Sequence, residues 1–111
     1  MPGAKNKDDS GNWPSYTMVE DRMRRIYFQF YKETYKPSKI DRKTKELIAI
    51  AASLGLKCHG CLKGHLEKAL QYGATPEEIS ETISISMGVA AASIVDQTDI
   101  ISEEMQLRLF K

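Results

Sequence analysis

The sequence predicts an all-α protein, a compact bundle of four to five helices, and three observations carry that expectation. Apolar residues recur at steps of three and four along most of the chain. No segment alternates convincingly between apolar and polar with period two, so no strand is expected. Strong start and stop signals punctuate the helical stretches, the clearest being Gly73 followed by Thr75-Pro76-Glu77-Glu78. No internal repeat is visible.

Residues 1–14 are rich in Gly, Pro, Asn, Asp and Lys, and read as a flexible arm with one aromatic, Trp13. A single domain over residues 15–111 follows. Its first helix runs from about Ser15 to Tyr35, with Val19, Met23, Ile26, Tyr27 and Phe30 as the expected inner stripe and Pro37 as its stop. The second starts at Ser38 or Asp41, buries Leu47, Ile50, Ala51 and Leu54, and is expected to close at Gly55. The third spans about 58–72, with Gly73 as a left-handed cap. The fourth begins with Thr75 as N-cap, Pro76 at the first helical position and Glu78 completing a capping box. It carries Ile79, Ile83 and Met87, and Gly88 is a point where it bends or breaks. The small residues Ala90, Ala91, Ala92 and Ser93 then allow close approach of another helix, from this chain or another subunit.

Composition narrows the function. Sixteen Lys and Arg against fifteen Asp and Glu give no field that recruits nucleic acid or an anionic membrane. No uninterrupted apolar run approaches the roughly 20 residues that span a bilayer. The first residues lack the apolar core of a signal peptide, so the expected location is the cytosol, where thiols are kept reduced.

Both cysteines and both histidines fall within eight positions, residues 58–65. Haem attachment needs His directly after the second Cys, and Leu62 stands there. A thioredoxin-like motif needs a preceding strand. A metal site would draw on Cys58, Cys61 and His65 with His59 or Glu46, yet structural zinc sites gather separated pairs of ligands, not neighbours on one helix. Free core thiols fit the apolar arc shared with Leu62 and Ala69, but a histidine on that arc needs a polar partner. At roughly 100° per residue, Glu46 lies at the edge of the second helix's buried stripe and can be that partner. A thiolate attacks peroxides and disulfides, an imidazole favours its formation, and a carboxylate orients the imidazole. A redox dithiol with a Glu46–His65 relay is the expected chemistry.

Glu46, then Cys58, Cys61 and His65, then "EKALQYGATPEEISETI" resembles the alkylhydroperoxidase D-like branch of the carboxymuconolactone decarboxylase family, over roughly residues 38–95. The resemblance implies an all-helical fold assembling as trimers or hexamers, with dithiol peroxidase or disulfide reductase activity. It implies Cys61 as the peroxide-attacking thiol, Cys58 as the resolving one, and Glu46 with His65 as the proton relay. A thiol protein or a lipoyl group is the implied reductant, and a hydroperoxide or disulfide the substrate. No flavin or nicotinamide motif is visible, so no cofactor is expected beyond the dithiol. The chain departs from the branch at Gly60, where the alkylhydroperoxidase has a histidine; here the histidine is His59, about 100° away around the helix.

Two other functions compete. A lactone-acid decarboxylase would need a cationic pocket, for which Arg42 or Lys45 is available, although members with that activity generally lack the cysteine pair. A non-catalytic subunit would use the cysteines to sense oxidation or hold a metal. The first helix carries Phe28, Tyr31 and Tyr35 beyond its stripe, joining Tyr27 and Phe30, and some of these aromatics are expected to meet other subunits together with the Ala-rich face of the last helix.

Overall fold

Helices start where a side chain can satisfy the first free backbone N–H groups and stop where the chain can turn left-handed. In the computed structural model, which describes residues 16–110, this yields α1 (Asp21–Tyr35), α2 (Arg42–Gly55), α3 (His59–Gln71) and α4 (Pro76–Met105). Among the described residues there is no strand. The expected arm over residues 1–14, with Trp13, lies outside them.

Asp41 caps α2, accepting the Thr44 N–H at 2.7 Å. Thr75 and Glu78 form the expected capping box at α4. Helix α1 begins later than expected, at Asp21, because a turn closed by Val19 N–H to Tyr16 O precedes it. Gly73 takes the left-handed conformation after α3 (φ 88°), and Ala74 N–H reaches back to Ala69 O at 2.9 Å. The same device ends α2, but not at Gly55: that glycine stays helical and Lys57 turns left-handed (φ 57°), while Cys58 N–H bonds Ser53 O at 2.9 Å. This turn delivers Cys58 directly to the start of α3.

The core is small. Ile50, Ala69 and Ala74 are buried, with Leu47, Leu54, Leu62, Leu66 and Ile79 packed around them from α2, α3 and the first turn of α4. Ala49 and Ser53 add to the inner side of α2.

Helix α1 reverses its expected faces. Val19, Met23, Ile26, Tyr27 and Phe30 are exposed, and the buried residue is Phe28. Phe28, Tyr31 and Tyr35 share one face at steps of three and four and turn toward the body of the fold. Two phenols supply the reason: Tyr31 and Tyr35 bond Lys68 and His65 of α3, which apolar periodicity does not register. Lys45 of α2 fixes the end of α1 by donating to the carbonyls of Thr34, at 2.7 Å, and Lys36.

Helix α4 runs unbroken through Gly88 for 30 residues, so the expected interruption is absent. A single helix glycine costs only about 1 kcal/mol, within what the flanking Ile, Val and Ala residues sustain. None of its side chains is buried; Met87 is 65% and Ile94 63% exposed. The chain is accordingly long, with a radius of gyration of 18.6 Å against about 13 Å for a compact domain of this size. By length and mean hydropathy α4 could cross a bilayer, although no uninterrupted apolar run in it is that long. Its uncharged stretch, residues 82–95, spans only about 21 Å of a hydrocarbon core about 30 Å thick.

Candidate functional site

Glu46 sits on the inner side of α2, one turn after Arg42, and is 0% exposed. A carboxylate without solvent needs donors. Arg42 Nε donates to Oε2 at 2.8 Å, and His65 Nδ1 from α3 lies 2.7 Å from Oε1. Burial alone raises the carboxyl, but the bonds from His65 and Arg42 outweigh it and hold Glu46 below its ordinary value of 4.5. Glu46 is thus the ionised acceptor, and His65 Nδ1 the donor.

The other imidazole nitrogen, Nε2, faces the Tyr35 hydroxyl at 3.4 Å. The Tyr35 ring stacks on His65 with centroids 5.2 Å apart and 25° between planes, and meets the Tyr31 ring at 4.7 Å with the planes tilted by 39°. Burial is the main cause that pushes both phenols up to about 12, so both keep their protons. Arg42 lies over the Tyr35 ring at 5.6 Å and the Tyr72 ring at 4.7 Å. Lys68 donates to Tyr31 Oη at 2.7 Å, and burial lowers its pKa.

Cys58 is the N-cap of α3 and is disulfide-bonded to Cys61. Its sulfur accepts the Cys61 N–H at 3.3 Å, the position at which a helix N-terminus favours negative charge. Cys58 is half-buried and Cys61 exposed. His65 follows Cys61 by four residues on the same helix, hence on the same face. His59 is exposed at the first helical position.

The fold therefore brings Glu46 and His65 into contact and sets the cysteine pair one turn ahead of His65. Tyr35, Tyr31 and Lys68 are not among the site residues the sequence suggests, and Arg42 and Lys45, available on sequence grounds for a cationic pocket, are both engaged. For Arg42 a signal existed, since an Arg four residues before a Glu on a helix is positioned to pair with it. Among the described residues, no group of three or more His, Cys, Asp or Glu side chains is disposed to hold a metal ion.

The profile of the carboxymuconolactone decarboxylase family matches residues 22–97. A carboxymuconolactone decarboxylase family protein of Thermotoga maritima, with a suggested role in an antioxidative response, is 31% identical with a TM-score of 0.61. That match covers 79% of this chain and 94% of that one. A protein of Methanobacterium thermoautotrophicum is 25% identical with a TM-score of 0.67, covering 72% and 90% of the two chains. An uncharacterized protein of the cox locus of Paracoccus denitrificans is 34% identical over 62 residues, 56% of each chain; the match thus spans little more than half of that relative.

Breaking a buried ion pair from one side costs about 3 kcal/mol, so Glu46→Gln should lower the unfolding free energy in urea by about that much at neutral pH. The folded-state pKa of Glu46 is depressed, so its contribution is full above the ordinary value of 4.5 and is lost as pH falls through the folded-state value. The gap between parent and variant should therefore narrow as the pH is lowered below 4.5; a constant gap would contradict an ionised Glu46.

Proposed function

The chain belongs to the carboxymuconolactone decarboxylase family, and on that premise we propose that it is a dithiol oxidoreductase reducing a hydroperoxide or a disulfide. The observation that carries the reading is the Cys58–Cys61 disulfide at the start of α3, one turn before an imidazole held by a buried carboxylate. The suggested antioxidative role of the Thermotoga maritima relative supports the same direction.

In the reduced protein His65 accepts the Cys61 proton, and the thiolate attacks the terminal peroxide oxygen. The O–O bond breaks, the alkoxide leaves as alcohol with the proton returned by His65, and Cys61 becomes a sulfenic acid. Cys58 then attacks the Cys61 sulfur, giving the disulfide and water, so two electrons pass from the dithiol to the peroxide. Regeneration takes two electrons from a second dithiol, a thiol protein or a lipoyl group. The donor thiolate attacks the exposed Cys61 sulfur, Cys58 leaves as a thiolate steadied by the Cys61 N–H, and the donor's second thiolate then displaces Cys61 from the mixed disulfide, leaving the donor as the disulfide. This cycle suits a cytosolic setting in which thiols are replenished. The lactone decarboxylase reading is weaker, because Arg42 is bonded to Glu46 and Lys45 to the end of α1, leaving neither as an open carboxylate site.

We also propose that the protein works as a homotrimer or homohexamer. The outer stripe of α1 and the exposed face of α4 need cover, and subunits of this chain supply it better than a bilayer does for a helix so short of uncharged length.

Two outcomes are expected. Stopped-flow thiol loss with hydrogen peroxide or an organic hydroperoxide should vanish in Cys61→Ser, whereas Cys58→Ser should leave a trappable sulfenic acid; undiminished consumption by Cys61→Ser would sink the reading. Sedimentation at low concentration should give a trimer or larger, and a stable monomer would refute the assembly.

A further inference from the structure

The paired carboxylate accounts for only one nitrogen of His65. Its Nδ1 is committed to Glu46, so the ring can exchange a proton only at Nε2, and the described neighbour of Nε2 is Tyr35. We propose that Tyr35 is a positioning residue for His65, its hydroxyl donating to Nε2 and holding the neutral imidazole as the Nδ1–H tautomer with its basic lone pair presented at Nε2. The role draws its use from the dithiol reading above, but its evidence is independent of that reading.

The phenol is held in place on several sides. Lys45 donates to the carbonyls of Thr34 and Lys36, the residues flanking Tyr35, and so pins this end of α1 to α2. The ring lies against His65 on one hand and Tyr31 on the other, and the Arg42 guanidinium sits over it. Arg42 and His65 are also the two groups that bind Glu46. Tyr35 from α1, Arg42 and Glu46 from α2, and His65 from α3 thus form one closed polar cluster, and Tyr35 is the member that α1 contributes.

The hydroxyl has the right chemistry for the task. Tyr35 keeps its proton through the working range of pH, so toward a neutral Nε2 it is a donor. At 3.4 Å the bond is long, and the hydroxyl rotates aside at small cost when a thiol proton is delivered. Once Nε2 carries that proton, the same oxygen accepts from it. The imidazole is therefore paired in both protonation states, which an apolar neighbour could not provide.

The test is the ¹⁵N spectrum of histidine-labelled protein in its disulfide form, which needs no enzymatic turnover. The parent should show His65 as the Nδ1–H tautomer, with its Nε2 resonance displaced to the hydrogen-bonded side. In Tyr35→Phe the Nε2 resonance should move toward that of an unbonded pyridine-type nitrogen, while the Nδ1 signal stays. In the reduced protein the same variant should react with peroxide about three- to tenfold more slowly, the range expected for one hydrogen bond. An Nε2–H tautomer in the parent, or an Nε2 resonance unmoved by Tyr35→Phe, overturns the proposal. The parent spectrum decides alone if the variant does not fold. A parent protein inert to peroxide would count against the dithiol reading and leave the spectroscopic result standing.

Discussion

A carboxylate that loses all contact with water remains ionised only if the fold supplies donors in its place, and Glu46 is such a carboxylate. It takes one donor from its own helix, Arg42, and one from α3, His65. The His65 bond joins α2 to α3 one turn along from the apolar cluster of Ile50 and Ala69, while the Arg42 bond, within α2, satisfies the second carboxylate oxygen. They also decide where the rest of the site can lie. His65 is oriented by Glu46, Tyr35 by His65 and Arg42, and the end of α1 by Tyr35 and by Lys45. In a domain with so small an apolar core, a buried ion pair of this kind fixes arrangement more than it adds stability.

Local signals made most of the fold legible. Asp41, the Thr75–Glu78 box and Gly73 each act within a few residues of where they stand, and each appears where its chemistry requires. The misreadings arose where spacing and residue type alone do not decide. Lys57, not Gly55, turns left-handed, because Cys58 N–H is satisfied by Ser53 O. In α1, two apolar faces compete, and apolar spacing cannot rank them. The face with phenols turned inward because Lys68 and His65 offered partners for the hydroxyls. Within the site, Glu46 and His65 could be paired from their helix positions, whereas Tyr35 reaches His65 from another helix, 30 residues away in the chain.

The dithiol occupies a boundary between order and access. Cys58 is tied into the helix N-terminus through the Cys61 N–H, and Cys61 is open to solvent. In the proposed cycle, attack at one sulfur and departure from the other are separated within a single turn. The same helix carries His65 inward, so a short segment spans exposed sulfur and buried carboxylate. Helix α4 takes no part in this cluster. Its first turn closes the core through Ile79, and the remaining length presents apolar surface outward.

In the proposed cycle Glu46 and His65 act on the dithiol as one unit. A double-mutant cycle on the rate of peroxide-driven disulfide formation tests it directly, with Glu46→Gln, His65→Ala and the combined variant measured at one pH. If the carboxylate works only through the imidazole, the double variant should be no slower than His65→Ala alone. Losses that multiply, each substitution slowing the reaction independently of the other, would contradict the account.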